Sequence, residues 1–107
     1  MAAHRHLIRH AIEQGWTIQC EDYDRESQWV YFTNNRKAVD YIEAVDGGLD
    51  FQIISPDEKS RIFVMLAIGY GNLPDETVAD FTVHPFIDAW FNEYSNKYVS
   101  SRCWRVE

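Results

Sequence analysis

The chain has 107 residues, of which 46% are hydrophobic, 15% aromatic and 25% charged, a content that suits one globular domain and is too apolar for a disordered segment. Its longest unbroken apolar run, Ile62 to Ile68, falls far short of the roughly 18 residues a membrane-spanning helix needs. Ten basic residues against seventeen acidic leave a net charge of −7, unevenly spread: residues 13–93 hold sixteen acids and five bases, and the two ends hold one acid and five bases.

Leu7, Ile8, Ala11 and Ile12 stack on one side of a helix expected from Ala3 to Gln14, which Gly15 stops. His4, His6 and His10 share that helix, and a solvated His-bearing first turn is the expectation for them. Trp16, Ile18 and Cys20 alternate with polar residues, as in a half-buried strand, and a second strand follows from Gln28 to Thr33. Asn34 or Asn35 caps a second helix with an apolar stripe of Ala38, Val39, Ile42 and Val45, ended by Gly47 and Gly48. Leu49, Phe51 and Ile53 form a third strand. The turn chemistry of residues 55–60 then leads into a fourth over Arg61 to Ile68, apolar on both faces and so expected to be central or covered twice. Glu76 to Thr82 reads as a short helical turn. His84 caps and Pro85 opens a last helix carrying Phe86, Ile87, Trp90, Phe91 and Tyr94, and residues 99–107 read as a tail.

These elements make an α+β domain in the order αββαββα: a four-stranded, mainly antiparallel sheet with helices on one face. Phe32, Ile42, Phe51 and Trp90 should then be nearly buried, while the other sheet face presents Thr17, Gln19, Trp29, Tyr31, Thr33, Asp50 and Gln52. Large aromatics among polar groups mark interface centres. Such a face is filled by a partner, by the tail with Trp104 as its anchor, or by a second copy in a homodimer.

Arg5, His6 and Arg9 break the first ten residues before an apolar signal core forms, and Cys20 and Cys103 are too few for a disulfide scaffold, so one domain in a reducing cytoplasm is the expectation. An acidic body repels phosphate backbones, which argues against direct nucleic-acid binding and for a partner with a basic surface. Residues 21–26 are the densest feature, and Glu21, Asp22, Tyr23, Asp24 and Glu26, with Asp40, Glu43 and Asp46 on the outside of the second helix, are candidates to imitate phosphates in a basic protein groove.

Catalytic patterns are weak. His6 and His10 could reach one metal ion, but Leu7 stands where a zinc-protease motif needs Glu. Asp80, His84 and Asp88 have acid–base residue types, yet Pro85 breaks their spacing. Gly69-Tyr70-Gly71 is followed by Pro74, Asp75 and Glu76, which puts negative charge where a phosphate would sit. Cys20 lies on the buried face, and no nucleophile elbow, P-loop or Cys-x-x-Cys pair occurs. No cofactor and no metal is expected, and a small enzyme or metal-dependent protein using the histidines is the alternative to a non-catalytic binding domain.

The stretch Leu73-Pro74-Asp75-Glu76-Thr77-Val78-Ala79-Asp80-Phe81-Thr82, between a strand and an aromatic helix, is similar to a segment in small, functionally unassigned accessory proteins of tailed phages and prophages. Residues 11–18 and the stripe of the second helix fit the same pattern, so the resemblance covers most of residues 7–82, and the longer aromatic C-terminal helix departs from it. It implies an accessory role in the host cytoplasm, of which inhibition of host defence, CRISPR and restriction systems included, is a common form.

Overall fold

The computed structural model describes residues 2–22, 28–69 and 76–99. The elements run α1 (Ala3–Glu13), β1 (Thr17–Glu21), β2 (Trp29–Phe32), α2 (Asn35–Glu43), β3 (Phe51–Ile54), β4 (Arg61–Leu66), β5 (Val78–Phe81) and α3 (Pro85–Tyr94), which continues as a wider π-helical turn over Ser95–Val99. The fold is α+β as expected, but the sheet has five strands, all antiparallel, in the order β2-β1-β3-β4-β5.

The additional strand is β5, where a helical turn was expected. Val64 pairs with Phe81 and Met65 with Asp80, but Leu66 pairs with Val78, so a bulge intervenes. An extra residue lets Val78 and Phe81 both pack toward the core and destroys the two-residue alternation by which a strand is recognised. The expected four-strand order fails for that reason.

Local signals hold elsewhere. Gly15 takes φ 84° just beyond the Gln14 cap. Asn34 accepts the Lys37 amide proton at 3.0 Å, and α2 ends at Glu43, shorter than its apolar stripe suggested. His84 accepts from the Phe86 N–H at 3.0 Å through Nδ1, with Pro85 in the first turn. Between β3 and β4, Ser55 Oγ donates to Asp57 Oδ1 at 2.6 Å and accepts from the Ser60 N–H at 2.9 Å, closing the turn that sets the hairpin register. Gly48 takes φ 85°, a conformation that strains any side chain, and a Cβ there would also displace the Ile68 side chain, whose Cδ1 would lie 2.7 Å away.

The helices cover one face of the sheet. Ile18, Cys20, Phe51, Ile53, Ile62 and Val64 point into the core against Leu7, Ile8, Ile42, Ile87 and Trp90. Ile42, Phe51 and Trp90 are buried as expected, whereas Phe32, on edge strand β2, is half-buried against Tyr41. β4 has a neighbour on each side but is not covered twice, because Phe63 and Met65 on its outer face keep 46% and 44% of their exposure. The expected tail begins at Val99, within the π-helical turn, and residues 100–107, Trp104 among them, lie outside the described residues. No helix among the described residues is long and apolar enough to cross a membrane.

Candidate functional site

α1 lies between α2 and α3 and against β1. His4 and His6 stand about 200° apart around a helix, so flanking helices cover both, and they keep only 2% and 4% exposure where a solvated turn was expected. On one flank, His4 Nε2 lies 2.6 Å from Glu43 Oε2 and Nδ1 lies 3.0 Å from Thr77 Oγ1, whose oxygen accepts the His4 backbone N–H at 3.1 Å. The consistent proton placement is Thr77 O–H donating to Nδ1 and Nε2–H donating to the carboxylate. Arg5 donates to both Glu43 oxygens at 2.6 Å. On the other flank, Trp90 Nε1–H donates to His6 Nδ1 at 3.0 Å, and Tyr94 meets the imidazole edge-on.

Burial holds both imidazoles below their ordinary value. At His4 the Glu43 hydrogen bond and charge work in the opposite direction, and at His6 the charge of Arg9 adds to the effect of burial. The Arg5 hydrogen bond, followed by that from His4, holds the Glu43 carboxyl low. Thr77, His4 and Glu43 share residue types with a nucleophile relay, yet Thr77 is buried and its hydroxyl oxygen accepts the His4 backbone N–H and meets His4 Nδ1. The arrangement clamps α1 to α2 and to the lead into β5. The sequence reading puts Glu43 on the free outside of its helix, whereas its carboxylate is part of this clamp, held by His4 and Arg5.

The remaining candidates separate. His10 Nδ1 lies 3.9 Å from Glu93 Oε2, and among the described residues no group of three or more His, Cys, Asp or Glu could hold a metal ion. Asp80 and Asp88 are exposed, and the His84 ring is engaged with the Phe86 N–H and Trp16. Burial pushes the Cys20 thiol up to about 12, so it is a core group. Asp40 is exposed on α2 and Asp46 beyond its end. Tyr23, Asp24 and Glu26 lie outside the described residues.

What the fold assembles instead is the outer face of the sheet. Trp29 and Tyr31 on β2 are 49% and 56% exposed, and Phe63 and Met65 on β4 complete four large apolar side chains open to solvent. Register orders them: Gln19 stands between Tyr31 and Gln52, Gln52 is opposite Phe63, and Glu21 is opposite Trp29. Gln19, only 5% exposed, and Gln52 accept from Arg61 Nη1 at 2.6 and 3.3 Å. Asp50 Oδ1 accepts the Leu66 N–H at 2.9 Å. Above the two amides is a hollow of about 310 Å³, with Trp29 and Phe63 as walls and Glu21 and Asp50 on its rim. The hairpin carrying Glu21, Asp22, Trp29 and Tyr31 was legible in the sequence. Phe63 and Met65 were not, because a strand apolar on both faces does not show which one is covered.

Compared with known proteins, the chain matches no family model, no curated protein and no solved structure. The fold and this face define an α+β domain with one helix-covered and one open sheet surface.

Proposed function

We propose that this chain is a non-catalytic protein-binding domain that applies its acidic and aromatic sheet face to a basic surface of another protein. The observation that carries the reading is the open face itself: Trp29, Tyr31, Phe63 and Met65 exposed together, with Glu21, Asp50 and Asp80 as exposed carboxylates around them. Aromatic groups desolvate well and retain few rotamers, which suits an interface centre, and the surrounding carboxylates steer a cationic partner toward it. In the sequence, Asp22, Tyr23, Asp24 and Glu26 fall between β1 and β2, and the proposal counts their charge with that of the face. Asp40, Glu43 and Asp46 are secondary in this reading, because α2 packs on the covered side and Glu43 is held by Arg5 and His4. A face of this charge competes with nucleic acid for a basic groove. Taking as a further premise the resemblance to phage accessory proteins read from the sequence, the specific form of the proposal is an inhibitor of a host nucleic-acid-processing defence complex, of anti-CRISPR or anti-restriction type.

The test is affinity capture from bacterial lysate at low and high salt with three forms of the chain: unaltered, Trp29→Ala with Phe63→Ala, and Glu21, Asp22, Asp24 and Glu26 each changed to its amide. A specific partner should be identified with the unaltered chain at low salt and lost with the aromatic variant. The amide variant should remain folded and associate more slowly, with a flatter salt dependence. Capture that ignores both sets of changes defeats the proposal. So does a concentration-dependent dimer, abolished by the aromatic changes, that leaves no face for another protein.

A further inference from the structure

We infer that the hollow between Trp29 and Phe63 receives an arginine side chain of the partner. The inference rests on the protein-binding reading above and specifies what the centre of the face recognises. At about 310 Å³ the hollow is at the lower end of ligand-pocket volumes, suited to one long side chain rather than a cofactor. Among the described residues its lining includes the exposed aromatics Trp29 and Phe63, two carboxylate residues and two amide residues, beside residues 48, 49 and 51, and contains no basic residue. Glu21 stands directly opposite Trp29 across the β1–β2 ladder, so a cation lying on the indole also meets a carboxylate. Asp50 is positioned by its hydrogen bond from the Leu66 N–H. Among the described residues neither carboxylate is paired with a cation, although the chain supplies its own guanidinium to the neighbouring position: Arg61 Nη1 bridges the Gln19 and Gln52 carbonyl oxygens. The face therefore binds one guanidinium already and presents, one step along the strands, a second acceptor set with an aromatic wall.

Arginine fits better than lysine. A planar guanidinium stacks on an indole while its edge donates two parallel hydrogen bonds to a carboxylate, whereas an ammonium is a compact, strongly hydrated point charge. A carboxylate or phosphate ligand is repelled by Glu21 and Asp50, and a purely apolar side chain leaves their charges without a partner.

The probe is the peptide acetyl-Gly-Arg-Gly-amide, titrated into the full ¹⁵N-labelled chain and followed by NMR, with lysine and norleucine in place of arginine as comparisons. The Trp29 indole N–H and the side-chain amides of Gln19 and Gln52 should shift saturably with arginine. The affinity should be a few-fold weaker for lysine, and norleucine should give no response at those positions. Glu21→Gln with Asp50→Asn should weaken arginine binding on the order of tenfold, the loss expected when two charge-assisted contacts become neutral ones. The chain should stay folded, since the amide replacing the Asp50 carboxylate keeps a carbonyl oxygen that accepts the Leu66 N–H. Trp29→Leu, read at the two glutamines, should weaken arginine binding to a similar degree. Norleucine binding as well as arginine, arginine binding that survives the charge changes, or no saturable shift would each overturn the inference. Should a captured partner be lost with the aromatic double variant yet bind Glu21→Gln/Asp50→Asn unchanged, the arginine pocket fails while the face reading stands. Arginine binding in the hollow, with capture indifferent to every face variant, gives the reverse result.

Discussion

Phe51→Ala should lower the free energy of unfolding by about 3 to 5 kcal/mol, the range for truncating a fully packed aromatic side chain. Phe51 keeps 1% exposure at the middle of the sheet, between Cys20 on β1 and Val64 on β4, with the helices above it. Its removal leaves a cavity that rigid neighbours on two strands cannot close, so the lost contacts add to the lost transfer free energy. Chemical denaturation with an unchanged m-value measures the effect. A loss below about 1 kcal/mol would mean that β3 is inverted, with Asp50 and Gln52 toward the helices, and the open outer face would not exist. The same experiment therefore guards the candidate site, because side-chain parity on β3 places Phe51 inside and Gln52 in the hollow together.

Acidification should weaken the fold well above the range in which ordinary carboxylates titrate. Burial holds the folded-state pKa values of His4 and His6 below their unfolded value of about 6.5. The unfolded chain consequently binds more protons in the window below that value. Stability is complete above about pH 7 and declines as pH falls through 6.5 toward the folded-state values. Glu43, held low by Arg5 and His4, acts in the same direction at lower pH, below its unfolded value of about 4.3. Charged and titratable groups that face His6 include Arg9, Glu93, His10 and Lys97, and those that face His4 include Glu43 and Arg5. The structural cost at His6 is direct: a proton on Nδ1 turns the acceptor of the Trp90 indole N–H into a donor, and a buried donor without a partner costs about 1–3 kcal/mol.

Denaturation midpoints at pH 7.5, 6 and 5 should fall in that order. His6→Gln, whose amide oxygen can still accept from Trp90, should remove its share of the slope. Glu43→Ala should cost about 1–3 kcal/mol at pH 7.5, because it leaves the buried His4 Nε2–H unpaired. Midpoints that do not move between pH 7.5 and 5 would show that neither imidazole is held neutral.

Several features follow from local chemistry and are legible in the sequence. Gly15, Asn34, His84 with Pro85, and the Ser55–Ser60 turn each act through contacts a few residues long, so the end of α1 and the starts of α2 and α3 needed no tertiary information. Alternation along β1, β2 and β3 likewise shows which side chains share a face, because a strand's period is independent of what covers it. Two aromatic residues of the candidate site, Trp29 and Tyr31, were visible on that basis.

Only the tertiary structure decided the rest. β5 was hidden because its bulge breaks the period, and its pairing partner is distant in sequence. The burial of His4 and His6 depends on α1 lying between two helices, a position that amphipathic periodicity does not encode, so a pair of histidines suited to solvent became two buried hydrogen-bonded groups. β4 is apolar on both faces, and which face remains open depends on where the helices settle. That choice placed Phe63 across the sheet from Trp29 and brought Glu21, Asp50 and two glutamines between them. Each half of the site obeys a local rule. Their meeting depends on long-range pairing of β1 with β3, which a two-residue period constrains only by parity and which packing against the helices selects.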